Sequence, residues 1–195
     1  MTKVLIIHDS IDGQTAQIAA RIGEIIQAHK VEVEVLDAKH LPHGFTVEGY
    51  NGILLGSPVR NRRYSALIQH FIEEQETDLR DFPSGFFSVS IADGTTKSGR
   101  LWLDGYLKSF FDETGWHPKV IGRFGGALLY TRYGFWIRIP LALAGRMMGY
   151  PTDTSRDHEL TNWDDVDQFA NEFISQVEVR PSRHWSRPLL CDSVH

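Results

Sequence analysis

The sequence predicts a doubly wound α/β domain: a five-stranded parallel sheet in the order 2-1-3-4-5, with helices on both faces. Short apolar runs such as Lys3-Val-Leu-Ile-Ile7 and Gly52-Ile-Leu-Leu-Gly56 have the length and purity of strands buried on both faces. Between them, apolar residues recur three and four positions apart, the spacing of a helix with one face on a core. Five strand patterns alternating with four helical ones leave few wirings, because parallel crossovers are right-handed.

The first strand breaks into Ser10-Ile-Asp-Gly-Gln-Thr15, and a helical pattern starts at once. A strand turning through Ser, Gly and Thr into a helix gathers backbone N–H groups at the positive helix end, a setting suited to phosphate. One such dipole interaction contributes only ~0.3–1 kcal/mol, so a phosphate needs several converging donors. The spacing is neither the dinucleotide pattern G-x-G-x-x-G nor the triphosphate pattern G-x-x-x-x-G-K-S/T. An ordinary turn capped by Asp12 or Thr15 is the alternative reading of the same residues.

Ile18, Ile22, Ile25 and Ile26 place an amphipathic helix over residues 15–29. Val31, Val33 and Val35 alternate with Glu32 and Glu34, the mark of an edge strand with one wet face. A loop around Pro42 and Gly44 follows, then the buried run ending at Ser57-Pro58. Leu67, Ile68, Phe71 and Ile72 mark a helix over residues 65–76; Gly85-Phe-Phe-Ser-Val-Ser90 is the fourth strand; Leu103, Leu107, Phe110 and Phe111 mark the third helix. Residues 120–130 read as a fifth strand, in which Gly125-Gly126 signals a close backbone approach or a bulge. Thr161-Asn-Trp-Asp-Asp165 resembles a helix start with acids in the first turn, and Val166, Phe169, Phe173 and Ile174 supply that helix's core face. Residues 1–177 read as one domain with an insertion at about 131–160, and residues 178–195 as a loose tail.

In this strand order the carboxyl ends of strands one, three and four meet where a ligand binds. Three loops then surround the site, at residues 9–15, 57–64 and 90–99.

Composition bounds the chemistry. The chain has 195 residues and a net charge of −5, with no basic stripe to replace phosphate counterions, which argues against nucleic acid as a partner. A single cysteine, Cys191, excludes a disulfide framework and a cysteine-rich metal or iron–sulfur site. The nine histidines are scattered without metal-ligand spacing. No charge-free run approaches ~18 residues, so no membrane span is expected, and no signal-peptide pattern opens the chain. A cytoplasmic location is the expectation.

About thirty residues separate strand five from the last helix, where a few would suffice. Residues 130–150 hold Arg132, Arg138 and Arg146, no acid, and Tyr133, Phe135, Trp136, Met147 and Met148. That composition suits a helix lying on a bilayer surface, which would put Arg132, Tyr133, Trp136 and Arg138 on the membrane or substrate side. It equally suits a packed excursion or a contact between two copies of the chain.

The residues together resemble the flavodoxin-like, menaquinone-dependent protoporphyrinogen oxidases, from Met1 to about Ile174. The matching features are Asp12-Gly-Gln-Thr15 in the first loop; Gly56, Arg60 and Tyr64 in the second; Pro83-Ser-x-Phe-x-Ser-Val89 in strand four; Gly126-Ala-Leu-x-Tyr-x-Arg-Tyr133 after strand five; Thr152-Asp-Thr154; and Thr161-x-Trp163. The resemblance implies FMN as cofactor, a quinone (menaquinone or ubiquinone) as acceptor, and a tetrapyrrole substrate, protoporphyrinogen IX, oxidised to protoporphyrin IX. It also implies association with the inner face of the cell membrane. Electron-carrier flavodoxins and NAD(P)H-linked flavin quinone reductases are the alternative functions.

It further implies that Ser10, Ile11, Asp12, Gly13, Gln14 and Thr15 hold the FMN phosphate. Ser57, Pro58, Val59, Arg60, Asn61, Ser90, Ile91, Ala92 and Asp93 would line the isoalloxazine, with Tyr64 stacking on it or closing its edge. Where that family often carries a basic residue before Asp-Gly, this chain has Ile11, which implies one charge partner fewer for the phosphate. No residue is identified as a catalytic acid or base.

Overall fold

A computed structural model describes residues 2–91, 97–128 and 153–178. The order of elements is β1 (Lys3–His8), α1 (Gln14–Ala28), β2 (Glu32–Asp37), a 3-10 turn (Ala38–His40), β3 (Gly52–Pro58), α2 (Ala66–Glu74), α3 (Glu76–Asp81), β4 (Ser84–Ser90), α4 (Lys97–Thr114), β5 (Val120–Gly125), β6 (Ala127–Leu128), β7 (His158–Glu159) and α5 (Trp163–Glu178). The main sheet is parallel throughout, in the order β2-β1-β3-β4-β5, as the sequence predicts.

Alternation along the central strands builds two cores. Val4 and Ile6 of β1 face one side, where Ile18, Ile22 and Ile26 of α1 and Val166, Phe169, Phe173 and Ile174 of α5 close over the sheet. Leu5 and Ile7 face the other side, beneath Ile68, Phe71 and Ile72 of α2 and Leu107, Phe110 and Phe111 of α4. Both faces being covered explains why the inner strands read as unbroken apolar runs. The edge strand β2 instead keeps Glu32 and Glu34 for Lys3, at 3.4 and 2.9 Å. On the first layer, Arg21 of α1 grips Asp167 of α5 through two bonds of 2.9 and 2.7 Å, a planar two-point contact between neighbouring helices.

Three expectations need correction. The helix over residues 65–76 ends at Glu74, and a further short helix, α3, follows it. The expected fifth strand is shorter than residues 120–130: β5 stops at Gly125 and, one residue later, β6 pairs antiparallel with β7 in a separate two-stranded sheet. The physical reason is a backbone approach. A Cβ on Gly125 would lie 2.1 Å from the Leu160 carbonyl oxygen, and the Leu160 N–H donates to Gly126 O at 2.9 Å. The third correction concerns the cap of α1, described below.

Residues 131–152 of the expected insertion, with Arg132, Tyr133, Trp136 and Arg138, lie outside the described residues, as do residues 129 and 130 before it and residues 179–195 of the expected tail. Among the described residues no helix is long and apolar enough to cross a membrane, and no His/Cys/Asp/Glu cluster could hold a metal ion.

Candidate ligand site at the carboxyl ends of the strands

Parallel pairing brings the three predicted loops to one edge of the sheet. His8 is in register with Gly56, and Pro58 with Val89. Two further bonds carry the order past the strand ends, Asp9 N–H to Gly56 O at 3.0 Å and Val59 N–H to Val89 O at 2.8 Å.

The first loop turns into α1 through Gly13, the N-cap, at φ 96°. A Cβ there would meet nothing within 4 Å, so the glycine is needed for its left-handed backbone rather than for space. Neither Asp12 nor Thr15 caps the helix. The Ser10 hydroxyl does so instead, accepting from Gly13 N–H at 3.1 Å and Ala16 N–H at 3.4 Å. Thr15 is buried behind the loop, while Ile11 is 46% exposed. The side chain of Gln14 turns towards the chain's return after β7. Its Nε2 donates to Glu159 Oε1 and to Thr161 Oγ1, both at 2.8 Å, and the Thr161 hydroxyl donates to Gly125 O at 2.7 Å. Gln14 therefore clasps the helix start to the end of β5, leaving only its backbone to face a ligand.

A cation reaches this loop from a place the sequence did not suggest. Register between β1 and β2 sets Asp37 opposite His8, and the Asp37 carboxylate caps the turn by accepting from Lys39 N–H at 2.9 Å. Lys39 Nζ then lies 3.0 Å from Asp9 Oδ1 and also donates to Ser10 O. Asp9 is only 7% exposed, so its carboxylate needs this partner. A cation thus reaches the loop, which has Ile11 beside Asp12, from the 3-10 turn after β2. The N–H groups at the helix start that Ser10 leaves open, the Ser10 and Thr15 hydroxyls, the open left-handed glycine and the Lys39 ammonium beside Asp9 together form a setting that fits a phosphate.

His8, beneath the loop, is buried, and its Nδ1 has no hydrogen-bond partner among the described residues. Burial pushes its pKa below the usual 6.5, with Lys39 adding to the shift and the Asp37 and Asp9 carboxylates opposing it. A histidine harder to protonate when folded contributes stability above the unfolded pKa, which is lost as pH falls below 6.5 towards the folded value. The melting temperature is expected to fall between about pH 7.5 and 5.5. His8→Phe should remove most of that slope in a thermal-melt series.

The second loop is a hairpin. Arg60 and Arg63 exchange both backbone hydrogen bonds at 3.0 Å, and the two residues between them, Asn61 and Arg62, sit at φ 50° and 65°. Two positive φ values give the turn that follows strand twist. Ser57 is fully buried, and its Oγ accepts from Ser65 N–H at 2.8 Å, which shuts the base of the hairpin. Pro58 and Val59 are half-buried; Arg60 and Asn61 are exposed. The Tyr64 ring lies against Phe110 and Phe86, at centroid distances of 4.9 and 5.4 Å, so it is held by the α4 side of the core. In the third loop, Ser90 is buried and Ile91 is 37% exposed, while Ala92 and Asp93 lie outside the described residues.

The arrangement sets the anion-binding loop at strand ends that also carry two exposed apolar side chains, Ile11 and Ile91. It suits a ligand with a phosphate at one end and a flat apolar body at the other. The residues that sequence reasoning missed are Lys39 and His8, and Asp9, placed in the first loop, was given no partner. Only the pairing of β1 with β2 would have revealed them.

Residues 5–155 match the family described as Flavodoxin domain. A protein of Escherichia coli (strain K12) named protoporphyrinogen IX dehydrogenase (quinone) is 28% identical over 180 residues, covering 92% of this chain and 98% of its own length. A protein of the same name from Leishmania major is 28% identical over 182 residues, covering 93% of this chain and 78% of its own length. Among solved structures, oxidised flavodoxin 1 from Bacillus cereus superposes with a TM-score of 0.54 at 18% identity, over 93% of this chain and all of that one.

Proposed function

The chain belongs to the flavodoxin domain family, and from that premise we propose that it is an FMN-dependent enzyme oxidising protoporphyrinogen IX with a quinone as acceptor. The observation that carries the proposal is the convergence of the phosphate cradle of residues 9–15 with the hairpin and with Ile91 at one edge of the sheet. The names borne by the Escherichia coli and Leishmania major relatives support the choice of substrate and acceptor.

In this reading the Ser10 and Thr15 hydroxyls and the backbone N–H groups of residues 11, 12, 14 and 15 hold the phosphate, the Gly13 N–H being spent on Ser10 Oγ. Val59, Ile91 and the neighbouring residues of the second and third loops, 57–61 and 90–91, flank the ring. FMN, when bound, supplies the two-electron redox chemistry. The protein's own part is to bind and orient it and to keep water from its inner face through buried Ser57 and Ser90. Arginine- and aromatic-rich residues 130–150 suit a membrane surface, where a quinone and an apolar tetrapyrrole both partition.

The test is an anaerobic assay. FMN-loaded protein is expected to generate fluorescent protoporphyrin from protoporphyrinogen only when a quinone is present. Nicotinamide consumption with no porphyrin formed would assign the site to a quinone reductase instead.

A further inference from the structure

The second loop carries more charge than holding a flavin requires. Arg60, Arg62 and Arg63 are all exposed, and among the described residues their side chains enter no ion pair or hydrogen bond. Arginines elsewhere on the described chain are matched: Arg21 with Asp167, Arg123 with Asp104, Arg156 with Asp153. No acid occurs from position 49 to position 72, in a protein whose net charge is −5. The three cations therefore form a local field of opposite sign to the rest of the molecule.

The hairpin presents these cations on a firm base. Arg60 and Arg63 are directly opposite each other, joined by two backbone bonds of 3.0 Å, so their side chains leave the same face of the ribbon. The base is fixed to β4 through Val59 N–H to Val89 O at 2.8 Å, and to the start of α2 through Ser65 N–H to Ser57 Oγ at 2.8 Å. A type of turn set by two positive φ values leaves little freedom at the tip. Two guanidinium forks side by side match two carboxylates side by side.

We propose that the Arg60–Arg63 hairpin is the substrate's carboxylate-recognition element. It takes an amphipathic dicarboxylate whose charged edge meets the arginines and whose apolar body covers the exposed Ile11 and Ile91 side chains. This rests on the reading under Proposed function, since protoporphyrinogen carries two propionates on neighbouring pyrroles and an otherwise apolar ring system. The phosphate cradle is separate: it uses residues 9–15, and Arg62 and Arg63 take no part in holding the flavin.

The experiment compares binding of protoporphyrin IX and of its dimethyl ester to FMN-loaded protein, followed by porphyrin absorbance at low and high salt. Wild-type protein is expected to bind the diacid about tenfold or more tightly than the ester, the gap narrowing with salt. Arg62→Gln/Arg63→Gln should lose about tenfold for the diacid, leave the ester and FMN affinities unchanged, and raise KM more than it lowers kcat. Arg63→Lys should keep part of the preference, because charge survives but the fork does not. Equal loss of diacid and ester, or unchanged diacid binding in the double variant, overturns the assignment. So does a double variant that keeps its porphyrin affinity but no longer sediments with phosphatidylglycerol vesicles, which would make the hairpin a lipid contact. Wild-type protein that binds both porphyrins alike defeats the hairpin assignment alone. Wild-type protein that binds neither defeats the proposed function, and the assignment with it.

Discussion

Gly125→Ala is expected to destabilise the protein by about 3 kcal/mol, the upper part of the usual cost of overpacking. For a domain of this size that is a fall of roughly 6–12 °C in melting temperature. The added methyl would lie 2.1 Å from Leu160 O and 2.6 Å from Leu160 C, backbone atoms that cannot turn aside as a side chain would. Moving residue 160 away would stretch Leu160 N–H to Gly126 O, now 2.9 Å, and Thr161 Oγ1 to Gly125 O, now 2.7 Å. It would also pull on Gln14 through the Thr161 hydroxyl, so loss of FMN affinity should accompany the loss of stability. Gly126→Ala is the control. Its nearest neighbours, Ile91 N at 3.4 Å and a Ser90 carbon at 3.5 Å, are at ordinary contact distance, and its cost should stay under about 1 kcal/mol.

The phosphate loop provides the other large effect. FMN should bind at least about a hundredfold more tightly than riboflavin, because several charge-assisted bonds of ~1.5–3 kcal/mol each serve only the phosphate. Lys39→Met should cost FMN tenfold or more while changing riboflavin affinity little. It removes the cation beside the loop and leaves Asp9, only 7% exposed, as a buried carboxylate facing an anion. Asp9→Asn/Lys39→Met should recover much of the lost affinity, since the exposed side of the charge imbalance is then gone. Flavin fluorescence quenching measures each of these affinities. Equal losses for FMN and riboflavin would mean that Lys39 holds the loop's shape and not the phosphate.

The sheet was legible because its strands announce themselves locally. Val4 to Ile7 and Ile53 to Leu55 must be apolar on both sides once α1 and α5 cover one face and α2 and α4 the other. The loops of the site were legible for the same reason, as each follows directly from a strand end. What could not be read depends on residues far apart in the chain. Lys39 meets Asp9 only because β2 lies parallel to β1 in full register. The expected strand over residues 120–130 breaks at Gly126 only because Leu160 comes back to its side. Gln14 looks in sequence like a phosphate ligand, yet its amide serves Glu159 and Thr161, partners whose approach no local pattern encodes. Tyr64 likewise reads as a ring for stacking on a ligand, and the structure sets it against Phe86 and Phe110. The helix α3 is six residues of mostly charged and polar side chains, too short to show a period.

The most direct test of the proposed chemistry is the quinone balance of the anaerobic reaction. Oxidising protoporphyrinogen to protoporphyrin removes six electrons and six protons, and each quinone takes up two of each. With FMN-loaded protein under argon, three quinones are expected to be reduced for every protoporphyrin formed, and none without FMN. Quinone reduction that yields no porphyrin, or porphyrin formed at the same rate when quinone is left out, would contradict it.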